Sequence, residues 1–121
     1  MMGCALSPGV SCLANETPAI LDSLYFGTQQ PNGIVTEQEW RQFVSEIITP
    51  RFVNGHTSWQ ANGQWRSASG EIQNEQSYVL QIVHPDSAEQ DANLQEIIRH
   101  YKERFDQESV LRVRVPTCSS F

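Results

Sequence analysis

The 121-residue chain carries a single lysine, Lys102, and seven arginines against fourteen acidic residues, for a formal charge of −6. So little positive charge, with no basic stripe, excludes the electrostatic footprint that nucleic acids and anionic membranes need. No apolar run approaches the roughly 20 residues of a membrane span. The three cysteines, Cys4, Cys12 and Cys118, lie near the chain ends, outside any CxxC or Cys/His cluster. His56 and His100 share no ligand-like spacing. A metal is therefore not expected. There is no G-x-S-x-G elbow and no phosphate-cradling loop, since Gly27, Gly33 and Gly55 are isolated turn glycines. No cofactor is expected either.

What remains is a globular composition, 39% apolar and 18% charged, at the length of one ordinary domain. Residues 1–18 hold breaker clusters, Ser7-Pro8-Gly9 and Thr17-Pro18, and read as an irregular lead-in to a single domain over 19–121. Ile20 to Gly27, ILDSLYFG, reads as a first strand. Gln30-Pro31-Asn32-Gly33 is a turn. Thr36 and Glu39 form a capping box, followed by Trp40, Phe43, Val44, Ile47 and Ile48 on one helical face, with Pro50 as the stop. Trp40 is placed in the core.

His56 to Arg66 and Glu71 to His84 suit two strands of a long hairpin turning at Ser67–Gly70, with Asn62-Gly63 expected to form a bulge. Ser87 and Gln90 open a second helix in another capping box. Its apolar positions are Leu94, Ile97, Ile98, Tyr101 and Phe105. Val110 to Val115 form a last strand closed by Pro116.

The order βαββαβ predicts an α+β, ferredoxin-like domain: a four-stranded antiparallel sheet with both helices on one face. Strands one and three are central, and the last strand lies antiparallel beside the first. That topology brings Cys12 and Cys118 together and predicts a disulfide between them. A disulfide points outside the cytoplasm. Met2-Gly3-Cys4 has the form of a lipoprotein cleavage site, so Cys4 is a candidate for a lipid tether.

LYFG (24–27), EWRQF (39–43), TPRF (49–52), GQWR (63–66), VHPD (83–86), YKERFDQESVLRV (101–113) and the closing PTCSSF occur together in this order. They resemble a bacterial domain-of-unknown-function family whose members are often small secreted proteins or lipoproteins. The similarity spans about residues 12–121 and departs from the pattern mainly at Trp59 and Gln60. The resemblance implies an extracytoplasmic setting and supports the disulfide and a leader remnant before Cys4. It implies no activity.

Candidate chemistry is sparse. His84, Pro85 and Asp86 read as a strand end and a helix start, and the alternative makes His84 a general base oriented by Asp86. Arg51 and Arg66, each beside an aromatic residue, could clamp a carboxylate or phosphate, though ion pairing with the many acids explains them as well. Alternation along the strands assigns Leu24, Phe26, Leu80, Ile82, Leu111, Val113 and Val115 to the helix side. It assigns Tyr25, Val79, Gln81, Val83, Arg112 and Arg114 to the open face. That half-apolar face predicts a homodimer, and an exposed Trp65 near the hairpin tip predicts a contact residue. The favoured reading is a non-enzymatic extracytoplasmic binding domain, with a protein or small molecule as ligand. The alternative is a small dimeric α+β barrel-type enzyme with a pocket between sheet and helices, using His84, Arg66 and Tyr25.

Overall fold

The structure is a computed structural model and describes residues 10–121. Cys4, the candidate for a tether, lies outside the described residues. The elements run β1 (Thr17–Gly27), β2 (Gln29–Gln30), β3 (Gly33–Ile34), α1 (Glu37–Phe43), β4 (Thr57–Arg66), β5 (Ile72–His84), α2 (Ala88–Arg104) and β6 (Leu111–Ser119). β1, β4, β5 and β6 make one sheet in the order β4-β5-β1-β6, with every neighbouring pair antiparallel. β2 and β3 form a separate two-stranded turn around Pro31-Asn32.

Both helices pack on one side of the sheet. Leu24 and Phe26 of β1 and Tyr78, Leu80 and Ile82 of β5 share a single core with Trp40 and Phe43 of α1 and Leu94, Ile97 and Tyr101 of α2. The core is aromatic at its centre. Trp40 stacks on Tyr78 with ring centroids 4.6 Å apart, and Phe26 meets Tyr101 at 4.6 Å. The Tyr101 hydroxyl donates to the Gly27 carbonyl at 2.6 Å, so this buried ring keeps its polar tip satisfied.

Local chemistry sets most boundaries. Thr36 caps α1 and receives Glu39 in return, a complete capping box. α1 then widens into a π-helical turn, Val44–Ile48, instead of continuing as α-helix to Pro50. The wider turn keeps Val44, Ile47 and Ile48 against the core. Ser87 caps α2 by accepting from the Gln90 amide at 3.2 Å.

Three expectations change. β1 begins at Thr17, within the segment read as lead-in, and β6 runs through Pro116 to Ser119. The two extensions pair with each other, Thr17 opposite Ser119. β6 is an edge strand, where a missing amide need not cost a ladder bond. The hairpin carries no bulge at Asn62-Gly63: its register is continuous from Thr57 opposite Gln81 to Arg66 opposite Ile72. Gly63 serves close approach instead, since a Cβ there would come within 3.3 Å of the Glu75 carbonyl oxygen.

The paired ends of β1 and β6 carry the disulfide. Cys12 and Cys118 are bonded, with Cα atoms 5.6 Å apart across 106 residues of sequence. In the chain-entropy picture a loop of this length is worth up to ~4–5 kcal/mol. Replacing both cysteines by serine should lower the urea midpoint and steepen the slope, since the unlinked chain exposes more surface on unfolding. An unchanged midpoint would show that the crosslink does not stabilise the domain.

Candidate functional site

The phase of β6 decides what the uncovered face of the sheet presents. Leu24 pairs with Arg112, and Leu24 is fully buried beneath the helices. Directly paired residues share a face, so Arg112 and Arg114 lie on the helix side. Leu111, Val113 and Val115 lie on the open side, paired with Tyr25, Ser23 and Leu21. This reverses the alternation expected for the last strand. The other open-face assignments stand: Tyr25, Val79, Gln81 and Val83 share this side.

The open face is built of cross-strand rows. One row runs Trp59, Val79, Tyr25, Leu111; the next runs Thr57, Gln81, Ser23, Val113. Val83, Leu21 and Val115 form a third. With Ala61 beside Trp59, these positions include no charged residue, in a chain that is 18% charged. Tyr25, Trp59, Val113 and Val115 are 40–43% exposed, Val83 is 53% exposed and Leu111 60%. Val79, flanked by Tyr25 and Trp59, is buried. The Gln81 amide donates to the Ser23 hydroxyl at 3.2 Å in the middle of the patch. Trp65 lies farther along β4 on this same face and is half exposed.

On the opposite face a buried ionic network ties the sheet to α2. Asp22 has no exposed surface. Its carboxylate accepts from Arg112 Nε at 2.7 Å and lies 2.6 Å from His84 Nε2. Arg112 reaches on to Asp91 in the first turn of α2 at 2.7 Å. The other ring nitrogen of His84 is 2.7 Å from the Pro85 carbonyl oxygen. Both ring nitrogens of His84 thus have an oxygen partner. Burial alone would raise the Asp22 carboxyl, but the hydrogen bonds from Arg112 and His84 outweigh it and hold the group below its usual range. The bond to Asp22 in turn holds the Arg112 guanidinium above its ordinary value.

His84 ends β5 just before the Ser87 cap of α2, and the alternative pair of His84 with Asp86 does not form. Asp86 faces Arg114 at 2.8 Å, while His84 turns inward to Asp22. Neither Asp22 nor Asp91 was expected as a partner of Arg112 or His84. An aspartate at an inward position of ILDSLYFG is itself the signal, because a buried carboxylate needs partners. Arg51 donates to the Ile47 carbonyl at 2.9 Å, and Arg66 stands exposed at the end of β4. The structure does not bring His84, Tyr25 and Arg66 together. They occupy the helix side, the open face and the hairpin end. One surface hollow of about 290 Å³ is lined by Gln30, Glu39, Gln42, Glu46, Arg104 and Phe105, and another of about 330 Å³ by hairpin residues around Gly63. Neither reaches His84.

This sheet order, with both helices on one side, defines a ferredoxin-like α+β domain. The chain belongs to the DUF3574 family, proteins of unknown function, whose profile matches residues 21–121. Two solved structures share the fold. A phage SAM lyase in complex with S-methyl-5'-thioadenosine is 16% identical, with a TM-score of 0.60 over 85% of this chain and 90% of that one. A phage SAM lyase in its apo state is also 16% identical, at 0.55 over 93% and 95%. No curated protein matches the chain. Among the described residues no helix is long and apolar enough to cross a membrane.

The lowered Asp22 value sets a pH dependence. Its contribution to stability is complete above the unfolded carboxylate range, about pH 4, and is lost as pH falls through the lower folded value. Asp22→Asn should flatten this acid limb in thermal melts. At neutral pH it should cost ~3 kcal/mol, because it strips a buried charge of its partner. An acid limb unchanged by the substitution would remove Asp22 as its source.

Proposed function

We propose that this is a non-enzymatic, extracytoplasmic binding domain that works through its open sheet face and pairs there with a second copy of itself. The observation that carries the reading is the charge-free, largely apolar patch spanning all four strands. Four strands ~4.8 Å apart, with same-face residues every ~6.7 Å, give a side of roughly 20 Å. That is a patch of about 400 Å² in projection, within the size range in which exposed apolar surface marks a contact site. Two such sheets pack face to face about 10 Å apart, as the layers of a sandwich do. Tyr25 and Trp59 are the natural anchors, since aromatic side chains dominate such contacts.

The disulfide is compatible with an oxidising compartment. Cys4 in Met2-Gly3-Cys4 is the candidate lipid attachment that would hold the domain at a membrane surface. A protein or small-molecule ligand would meet the exposed Trp65 and the hairpin. The buried network supports a structural role for His84, because its ring is enclosed and its nitrogens are engaged.

A second reading has one observation behind it, the shared fold with the SAM lyase structures. It makes the domain a small enzyme acting on a nucleoside-bearing sulfonium compound. The space between sheet and helices is filled by Leu24, Phe26, Leu80, Leu94, Ile97 and Tyr101, none with any exposed surface, which favours the binder. S-adenosylmethionine and S-methyl-5'-thioadenosine in a thermal-shift assay separate the two readings. The binding-domain reading expects no shift with either, and a clear shift would reverse the ranking.

Light scattering tests the pairing surface. Val113→Glu puts a charge at the middle of the patch on an edge strand and should halve the mass of the assembly while leaving the circular dichroism unchanged. A mass that is the same for wild type and variant would eliminate the open face as the contact.

A further inference from the structure

A second surface invites pairing, and it lies at the rim of the sheet. The sheet leaves two edges, β4 and β6. β6 is guarded by Pro116 and by the charged side chains of Arg112 and Arg114. Proline and charge are the usual means by which an edge is kept from pairing with another chain. β4 has neither. From Thr57 to Trp65 it contains no proline and no charged residue, its register is free of bulges, and most of its residues are exposed. Its ten residues make an open backbone ladder ~33 Å long.

The side chains along this edge are self-complementary. Trp59, Ala61, Gly63 and Trp65 share the open face, with the two small residues between the two tryptophans. Gln60, Asn62 and Gln64 share the other. A two-fold axis through Asn62, normal to the sheet, sets Trp59 opposite Trp65 of the partner copy and Ala61 opposite Gly63 of the partner copy. Gln60 then meets Gln64 of the partner copy, and Asn62 meets its own counterpart. From Trp59 to Trp65 like meets like: aromatic on aromatic, small on small, amide on amide. The isologous geometry needs no second surface patch.

We propose that β4 of one copy pairs antiparallel with β4 of a second copy about Asn62, joining two four-stranded sheets into one of eight strands. This goes beyond the open-face reading and does not depend on it. The edge contact uses backbone groups, the face contact uses side chains, and their two-fold axes are perpendicular.

Cysteine crosslinking tests the register. Directly opposed residues of antiparallel strands have Cα atoms about 4.5–5.5 Å apart, inside the range a disulfide spans. In a Cys4→Ser background, Asn62→Cys should crosslink to itself under mild oxidation and double the mass on non-reducing electrophoresis. Gln60→Cys should not, because two copies of that position stand four residues apart, about 13–14 Å. Mixing Gln60→Cys with Gln64→Cys should restore the crosslinked species. Asn62→Lys, which sets two ammonium groups face to face at the axis, should halve the mass of the uncrosslinked assembly.

All variants are first checked for native circular dichroism and melting. Asn62→Cys crosslinking no faster than Gln60→Cys overturns the proposal, as it would if an unrelated extended peptide were the true partner of this edge. Repeating the experiment with Val113→Glu separates the two surfaces: crosslinking that persists there upholds the edge contact whatever becomes of the face.

Discussion

A carboxylate with no exposed surface governs which side chains the open face of this sheet presents. Asp22 sits on the helix side of the central strand β1, where an isolated charge would cost several kcal/mol. Arg112 and His84 supply its partners, and Arg112 also holds Asp91 at the start of α2. For Arg112 to reach Asp22 it must project toward the helices. β6 is a strand, so the phase of one residue is the phase of all. Leu111, Val113 and Val115 are thereby turned away from the core. The apolar patch on the open face is the counterpart of the ionic network beneath the sheet.

The arrangement also explains how an edge strand with little helix cover can be anchored. α2 crosses near β1 and β6, and its first turn carries the acids that meet arginines from β6: Asp91 meets Arg112, and Asp86 just before the helix meets Arg114. Long arginine stems can span the gap at the rim of the core where shorter aliphatic side chains would leave space. The centre of the sheet is held differently, by close-packed aromatic rings around Trp40 and Phe26. The disulfide then closes the far end of the β1–β6 pair. Three kinds of interaction act on three parts of one sheet, and all of them leave the opposite face bare.

Much of the fold was legible because its signals are local. The Thr36–Glu39 box, the helical spacing from Trp40 to Ile48, the Ser67–Gly70 turn and the Ser87 cap each act within a few residues, and all appear in the structure. The meeting of Cys12 and Cys118 followed from strand order. The site was less legible. Alternation in LRVRV is equally regular with either set of side chains inward, and burying the valines is the simpler guess. It fails because the choice turns on Asp22, ninety residues earlier in the chain. The partner of His84 was illegible for the same reason: Asp22 is distant in sequence and adjacent only across the β1–β5 pairing.

By itself the amino-acid sequence determined the elements, their order, the helix caps and the stripe that each helix buries, since these depend on periodicities and on contacts within a turn or two. Only the tertiary structure decided the phase of the last strand, the company of the buried histidine and the continuous register through Asn62-Gly63. Each of those is settled by which groups face each other across the sheet, and a buried charge leaves one arrangement in which it is matched.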